Sequence, residues 1–207
     1  MKLFYSPGAC SLAVHIALRE SGRPFEAVRV NLKDGEQFSP EFLKVNPKSK
    51  VPAIVRDDGS VLTECPALLF WVARTSPGAG LLPEDAEGEA RALEWMNFIS
   101  GSIHNGGFTR ILRAERFVGA PEHAPAAAEK AKADTVKHLG IAEEMLSGRD
   151  TALASGHSVV DDYLYVIARW VPRAGKELAD FPSLKALHDR VAARPATQAA
   201  LAAEGLA

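Results

Sequence analysis

Cysteine is scarce in this sequence: Cys10 and Cys65 are the two in 207 residues. A secreted disulfide scaffold of this length would usually carry more, so we expect both thiols to be free. Six histidines are present, but none has cysteine or carboxylate partners at the spacing of a metal site. The sequence therefore predicts no metal and no cofactor.

Long apolar runs and an excess of one charge are also missing. No stretch reaches the roughly 18 apolar residues that span a membrane, and the N-terminus lacks a secretory signal pattern. We therefore predict a cytoplasmic protein with no membrane partner. The net charge of -2 is spread along the chain, which argues against binding to nucleic acid. With 47% hydrophobic and 24% charged residues, the composition is that of a folded globular protein with a small-molecule partner.

The first part of the chain, residues 1–76, alternates short apolar runs with helical ones. It contains a strand at LFY, a helix over Ser11–Glu20, a second strand at FEAVRVNL, and a short helix opened by Ser39 and Pro40. Two apolar runs around Asp57-Asp58-Gly59 predict a hairpin, and a helix over Pro66–Arg74 follows. The order β-α-β-α-β-β-α predicts an α/β sheet domain.

The rest of the chain follows a different pattern. Residues 77–88 are rich in glycine and proline and are predicted to be a linker. In residues 89–207 no convincing strand is found, and Ser158 three residues ahead of Asp161 predicts a capping box at the start of a buried central helix. Helical spacing extends over four segments, Ala90–Ser100, Ala124–Leu146, Val159–Arg169 and Leu184–Ala193. We expect an all-helical second domain.

Cys10 is the first candidate for chemistry. It follows Pro7-Gly8, which separate the first predicted strand from the first helix. A thiol at a helix N-terminus lies near free N–H groups and the positive end of the helix dipole, which favour a thiolate. The alternative is an inert core cysteine, the usual role of a lone cysteine. Because the Cys-x-x-Cys spacing is missing, disulfide chemistry between near neighbours is not expected.

Two further junctions bear on ligand binding. Pro52 follows Val51 ahead of a predicted strand, which indicates a strand opening, an edge position or a cis peptide bond. Cys65 precedes Pro66 and is predicted to cap a helix whose bare N–H groups suit a carboxylate. Glu64 beside it suits an ammonium group. The alternative is an ordinary strand-to-helix junction with a solvated glutamate.

The segment after the linker has two contrasting stripes at a helical spacing of about 100° per residue. Trp95 and Ile99 lie on an apolar stripe that is predicted to be core. Asn97, Gly101 and His104 share the opposite stripe, which is polar and small, as the wall of a ligand site would be. The alternative for His104 is a surface histidine without chemistry.

Taken together, these segments resemble a known family over nearly the whole chain. They are MKLFYSPGACSLAVHIALRESG, FLKVNPKSKVPAI, DDGSVLTE, EWMNFIS ahead of His104, SVVDDYL and the C-terminal EGL. In this order and spacing they resemble the bacterial beta class of cytosolic glutathione transferases. The resemblance implies a thioredoxin-like N-terminal domain that holds glutathione, an all-helical domain beside the second substrate, a homodimer and a role in detoxification.

The resemblance also implies roles for single residues. Cys10 and His104 would be the catalytic pair near the glutathione sulfur, where the glutathione thiolate is stabilised and oriented against a small hydrophobic electrophile. Other glutathione contacts would come from Lys33, Val51, Pro52 in a cis peptide bond, Glu64, Cys65, Asn97 from the partner subunit and Gly101. The hydrophobic substrate would contact Phe108, Ile111, Leu112 and Trp170.

Two positions depart from the family pattern. Cys65 stands where the family commonly has serine or glycine, and Asn105 where it often has lysine. Because a thiol is a weak hydrogen-bond donor, we expect either weaker glutathione binding or a second redox-sensitive thiol at Cys65. Two alternative functions stay open: a glutathione-dependent thiol-disulfide reductase or peroxidase that uses Cys10, and a non-catalytic binding or regulatory protein on the same fold.

Overall fold

A computed structural model describes residues 1–206, and Ala207, the last residue of the predicted helical domain, lies outside the described residues. The strands are β1 (Lys2–Tyr5), β2 (Glu26–Arg29), β3 (Ala53–Val55) and β4 (Val61–Thr63). The helices are α1 (Ser11–Glu20), α2 (Pro40–Val45), α3 (Cys65–Arg74), α4 (Ala86–Phe98), α5 (Thr109–Leu112), α6 (Ala124–Leu146), α7 (Val159–Ala168), α8 (Pro182–Ala192) and α9 (Pro195–Glu204). A π-helical segment, Ile99–Phe108, joins α4 directly to α5.

The four strands form one mixed sheet in the order β2-β1-β3-β4. β1 is parallel to β2 and antiparallel to β3, so that Leu3 lies opposite both Ala27 and Ile54. α1 connects the parallel pair, since parallel strands need a crossover connection, and most of this helix is buried. β3 and β4 form the predicted hairpin, in which Gly59 has a φ of 81°. The α/β sheet domain predicted from the sequence is confirmed.

The helical half is built around α7, in which all ten residues are buried. Its first turn is held by the predicted capping box, because Asp161 Oδ2 accepts the Ser158 N–H at 2.8 Å and Ser158 Oγ accepts the Val160 N–H at 3.3 Å. Asp161 Oδ1 also accepts the N–H of Ala152 at 2.8 Å, which fixes the preceding loop. The buried central helix and the all-helical second half are confirmed.

The structure corrects the prediction for the segment after α4. The α-helix ends at Phe98, and the following ten residues form wider, π-helical turns. The side chain of Asn105 donates to the carbonyl of Ser100 at 2.7 Å, a local bond that competes with regular α-helical bonding. A Cβ at Gly107 would lie 2.5 Å from Thr135 Oγ1, so glycine lets this segment approach α6 closely.

Helix α9 is an element that the sequence did not predict. Its sequence, PATQAALAAE, is rich in alanine, so the apolar stripe is hard to recognise. In the structure Thr197, Ala200 and Leu201 are buried, and the helix packs along α1. Among residues 1–206, no helix combines the length and the apolar character that crossing a bilayer requires.

Candidate functional site

A cleft lies where the N-terminal ends of α1 and α3 face the π-helical segment and α7. It brings together six of the predicted site residues, Cys10, Val51, Pro52, Glu64, Cys65 and His104, and adds Asn46, Lys50, Pro66, Ser100, Asn105 and Tyr163. The cleft is narrow, with a volume of about 60 Å³, and two surface depressions of about 620 Å³ lie elsewhere. We assign the candidate site to the narrow cleft, because thiols, a histidine and two helix N-termini meet there.

The loop between β1 and α1 is fixed by residues far along the chain. The Gly8 N–H donates to Glu204 Oε2 at 2.9 Å, and the Gly8 carbonyl accepts a bond from Trp170 Nε1 at 3.0 Å. Gly8 has a φ of 69°, a conformation that glycine adopts at little cost. Glu204 Oε1 lies 2.9 Å from Nδ1 of the buried His15 in α1. The helical half therefore positions the loop that carries Cys10.

Cys10 is the residue immediately before α1, as predicted, and 8% of it is exposed. Its Sγ lies 3.7 Å from the carbonyl oxygen of Val51. The Val51–Pro52 peptide bond is cis, one of the three alternatives left open by the sequence and the one that the resemblance implies. Within residues 1–206 the Val51 N–H has no hydrogen-bond partner, so this donor is available to an extended ligand.

Glu64 has an unusual backbone conformation, with φ 74° and ψ 121°. Residues other than glycine adopt such conformations at a cost of about 1–3 kcal/mol, often at functional sites. The Glu64 carboxylate binds the ammonium group of Lys48, which also donates to Thr63 Oγ1 at 2.6 Å. The prediction that Cys65 caps α3 is wrong: Glu64 is the cap residue and Cys65 the first helical one. The reason is that α3 starts one residue earlier, with Pro66 second in the helix.

Cys65 lies deeper in the cleft than Glu64 and is 5% exposed. Its Sγ donates toward the carbonyl oxygen of Cys10 at 3.5 Å. Burial raises the pKa of Cys65 well above its ordinary value, and the neighbouring Cys10 thiol raises it further, whereas a hydrogen bond with the Tyr163 hydroxyl lowers it. Cys65 is therefore a neutral thiol near pH 7.

His104 packs against α7 and the residues that follow it. Its Nδ1 lies 3.1 Å from the Tyr163 hydroxyl oxygen, and its ring centroid lies 4.9 Å from that of Trp170. Burial lowers the pKa of His104 to about 4, and the charge of Lys50 acts in the same direction. Because burial raises the pKa of Tyr163, its hydroxyl keeps its proton, and in the Nε2–H tautomer of His104 this hydroxyl donates to Nδ1. The neutral His104 then presents its Nε2–H as a donor.

Three of the predicted glutathione contacts do not line the cleft. Lys33 is exposed in the loop after β2. Asn97 is exposed on α4, where its amide donates to the carbonyl four residues earlier at 2.8 Å. Gly101 is also exposed, because the π-helical turns break the repeat that placed it on one stripe with His104, and Ser100 lines the cleft instead. The contact of Gly101 with a ligand therefore stays a prediction without support from the lining of this cleft.

The predicted contacts for a hydrophobic substrate separate into two groups. Phe108 and Trp170 are core residues, 0% and 6% exposed, with ring centroids 5.6 Å apart. They pack against each other and Trp170 is bonded to the loop before α1, so neither lines the cleft in this structure, and their contact with a hydrophobic substrate stays a prediction. Ile111 is partly buried and Leu112 is 51% exposed on α5. These two stay predicted contacts.

Sequence reasoning missed several polar residues of the cleft. Asn46 is buried and its amide donates to the carbonyl of Lys50 at 2.7 Å, which shapes the loop before the cis peptide. Tyr163 lies in the segment predicted to be a buried central helix, and its hydroxyl was the signal that a polar contact had to be nearby. Ser100 and Asn105 enter through the π-helical turns, which the sequence pattern did not indicate.

Comparison with known proteins places this architecture in a family. The family model for the glutathione S-transferase N-terminal domain matches residues 8–75, and the model for the C-terminal domain matches residues 104–195. Glutathione S-transferase GstA of Escherichia coli O157:H7 is 37% identical over 208 residues, covering 100% of both proteins. The chain belongs to the glutathione S-transferase family.

Two solved glutathione S-transferases match over 100% of both chains. A sphingomonad enzyme complexed with glutathione is 42% identical, with a TM-score of 0.86. The bacterial beta class enzyme of Sphingomonas chungbukensis is 40% identical, with a TM-score of 0.85. These likenesses confirm the predicted glutathione transferase architecture, a thioredoxin-like domain followed by a helical one.

Away from the cleft, this glutathione S-transferase has a buried charged cluster. Glu20, His157 and Asp162 each bring one ligand-type atom within 4.8 Å of the others. Arg194 donates to Glu20 through Nε at 2.5 Å and Nη2 at 2.9 Å, and His157 Nε2 lies 3.3 Å from each carboxylate. Burial lowers the pKa of His157, but the ion pairs with Asp162 and Glu20 outweigh it and raise the pKa to about 9. The cluster is an ion-pair network that ties α1 to α7.

Proposed function

We propose that this protein is a beta-class glutathione transferase that joins the thiolate of glutathione to small hydrophobic electrophiles. The observation that carries the proposal is the convergence of Cys10, Val51, Glu64 and His104 in one cleft between the sheet and the helices. The solved sphingomonad relative with bound glutathione supports this choice of ligand. The reaction needs no cofactor, since glutathione is a cosubstrate.

The γ-glutamyl end of glutathione carries an ammonium and a carboxylate. The first turn of α3 offers N–H groups without intrahelical partners, which suit the carboxylate. Glu64, the cap residue of this helix, suits the ammonium, which would share the Glu64 carboxylate with Lys48. The strained backbone of Glu64 keeps its side chain at the edge of the cleft.

The cysteinyl part of glutathione is an extended peptide segment. Val51 offers its unpaired N–H, and the cis bond to Pro52 fixes its orientation. We propose that the peptide pairs with the Val51 backbone as an added strand would. Lys50 supplies a positive charge at the cleft, whereas Lys33 lies outside its lining.

The sulfur of glutathione would then lie between Cys10 and His104. The N-terminus of α1 places its positive dipole end there, and the neutral His104 offers an Nε2–H donor. Both interactions stabilise a thiolate, the form of glutathione that attacks an electrophile. The sulfur of Cys10 does not need to attack in this reaction.

The contacts of the second substrate and the assembly state are proposed from the sequence. Ile111 and Leu112 are the apolar side chains proposed to contact the electrophile. A homodimer is proposed from the resemblance, with Asn97 reaching the cleft of the partner subunit. Analytical ultracentrifugation tests the dimer, since a single species of the monomer mass of 22.2 kDa would contradict it.

The test of the proposed function is glutathione conjugation to 1-chloro-2,4-dinitrobenzene, measured by absorbance together with glutathione binding by calorimetry. We expect catalysis above the uncatalysed rate. Glu64→Gln should raise KM for glutathione by about tenfold to a hundredfold, because a charge-assisted hydrogen bond is lost. Glu41→Gln, on the exposed face of α2, is the matched control and should leave KM unchanged. Glutathione consumption at the uncatalysed rate together with no binding would favour the non-catalytic alternative.

A second candidate function is glutathione-dependent disulfide reduction. The observation in its favour is that the Cys10 thiol lies in the same cleft as the proposed glutathione sulfur. Cys10→Ser should abolish the reduction of 2-hydroxyethyl disulfide by glutathione. If the variant reduces this disulfide at the wild-type rate, Cys10 is not the redox group.

A further inference from the structure

The cleft contains a second thiol that the proposed conjugation does not use. Cys65 stands where the resembling family commonly has serine or glycine, and the chain has no cysteine besides Cys10 and Cys65. Both are free thiols in the structure and both line the cleft. They belong to different elements, since Cys10 precedes α1 and Cys65 begins α3.

The two cysteines are neighbours across 55 residues of sequence. Cys65 Sγ lies 3.5 Å from the carbonyl oxygen of Cys10, and the Cys10 thiol is close enough to act on the charge of Cys65. α1 and α3 pack side by side, with both N-terminal ends at the cleft. This juxtaposition is independent of the Cys-x-x-Cys spacing that the sequence lacks.

We propose that Cys10 and Cys65 form a reversible intramolecular disulfide, so that the protein resolves a mixed disulfide between Cys10 and glutathione by itself. The proposal rests on the proposed binding of glutathione only for the identity of the small thiol. The pair of cysteines stands on its own geometry.

The oxidation proceeds in two balanced exchange steps. The Cys10 thiolate, having lost its proton to solvent, attacks one sulfur of glutathione disulfide, which forms a Cys10–glutathione disulfide and releases one glutathione thiolate. Cys65 then gives its proton to the glutathione thiolate released in the first step, and the resulting Cys65 thiolate attacks the sulfur of Cys10, which forms the internal disulfide and releases the second glutathione as a thiolate. Two electrons pass from the two cysteines to glutathione disulfide, and two glutathione molecules reverse the sequence.

The order of the steps follows from the environments of the two thiols. Cys65 is covered by Cys10 and Tyr163 and is a neutral thiol near pH 7, because burial raises its pKa. Because the thiolate is the attacking form, we assign the first step to Cys10 and the resolving step to Cys65. Because Cys65 is already beside Cys10, its attack is intramolecular and needs no second protein.

The experiment treats the purified protein with glutathione disulfide, quenches with acid and alkylates the remaining thiols with N-ethylmaleimide under denaturing conditions. Intact mass and peptide mapping then report the products. The wild type should lose two hydrogen atoms, take up neither maleimide nor glutathione, and yield a peptide pair linked through Cys10 and Cys65. Cys65→Ser should keep one glutathione on Cys10, whereas Cys10→Ser should keep its single thiol free.

The outcomes decide between the alternatives. A wild type that accumulates the same stable glutathione adduct as Cys65→Ser, or that keeps both thiols alkylatable, overturns the proposal. Cys65→Ala serves as a second variant if the serine variant loses its native circular dichroism spectrum. Linkage of the peptides between two different molecules, seen as a covalent dimer mass, also overturns it.

A parallel reaction with 2-hydroxyethyl disulfide separates this proposal from the transferase function. If the internal disulfide forms with this reagent while calorimetry detects no glutathione binding, the dithiol is upheld and the transferase proposal fails. If conjugation is catalysed but neither disulfide reagent links Cys10 to Cys65, the transferase proposal is upheld and the proposed internal disulfide is refuted.

Discussion

The stability of this protein should fall at alkaline pH through one residue, His157. Its folded pKa of about 9 lies above its ordinary value of 6.5, so the charged form is favoured in the folded state. A pKa difference of this size corresponds to about 3 kcal/mol of unfolding free energy, since one unit is about 1.4 kcal/mol. The direction of the pH effect follows from linkage, because a group that holds its proton more tightly in the folded state stabilises the fold while it is protonated. The contribution is fully present below pH 6.5 and is lost as the pH rises through about 9.

The measurement is urea-induced unfolding, followed by tryptophan fluorescence, at a series of pH values across that range. The wild type is compared with His157→Gln, which removes the charge, and with His123→Gln, an exposed histidine that serves as the control. The other thiols and amines titrate in all three proteins, so their effects cancel in the differences. We expect the wild type to exceed His157→Gln by about 3 kcal/mol near pH 6.5, above the pKa of about 6 to which burial raises Asp162, and to converge with it at the alkaline end.

A difference between wild type and His157→Gln that is constant with pH would refute the reasoning. It would mean that His157 keeps the same charge throughout and contributes through packing alone. The two carboxylates that contact His157 are buried, since the side chain of Asp162 is 0% exposed and that of Glu20 is 6% exposed. Removing the imidazolium leaves buried negative charge, with Arg194 as the remaining cation.

Three further predictions follow from the structure. Glu204→Ala removes the acceptor that holds the loop between β1 and α1. The unfolding free energy should therefore fall by about 1–3 kcal/mol, and KM for glutathione should rise. If both values stay unchanged, Glu204 does not hold this loop in place. Because the pKa of His104 is about 4, the pH profile of kcat/KM should show no inflection near pH 6.5. An inflection near pH 6.5 that disappears in His104→Gln would show that the pKa of His104 is not lowered. Gly107→Ala brings a Cβ within 2.5 Å of Thr135 Oγ1 and should destabilise the fold by about 1–3 kcal/mol. Gly101→Ala is the control, because a Cβ at Gly101 would lie in open space and should not destabilise the fold. Equal unfolding midpoints for the two variants would disprove the close contact at Gly107.

Much of the fold could be predicted because its signals are local. The hairpin turn at Gly59, the cap at Ser39 and the capping box at Ser158 each depend on a few adjacent residues, and each is present in the structure. The π-helical turns could not be predicted, because they depend on how closely Gly107 approaches Thr135 in a distant helix. α9 was missed for a related reason, since its buried stripe is defined by contact with α1.

The candidate site was predictable where a junction between elements fixes the direction of a side chain. Cys10 and Glu64 stand next to helix starts, and Val51 stands next to a cis proline, so their places in the cleft follow from the adjacent sequence. The burial of Phe108 and Trp170 could not be predicted, because an aromatic residue type does not indicate whether a ring faces the core or a ligand. The contact between Cys65 and Cys10 joins two elements that are distant in sequence, so it could be recognised only from the three-dimensional structure.

The bond between Gly8 and Glu204 spans 196 positions of the chain. At translation rates of about 5–20 residues per second, the ribosome needs about 10–40 seconds to travel from one to the other. Once Thr63 has been made all four strands of the sheet exist, yet the backbone ahead of Cys10 still lacks its anchor. A polypeptide released before α9 is made would keep the thiol but not the hydrogen bond that holds it in place. Translation therefore supplies the anchor of the loop ahead of Cys10 only once residue 204 has been made.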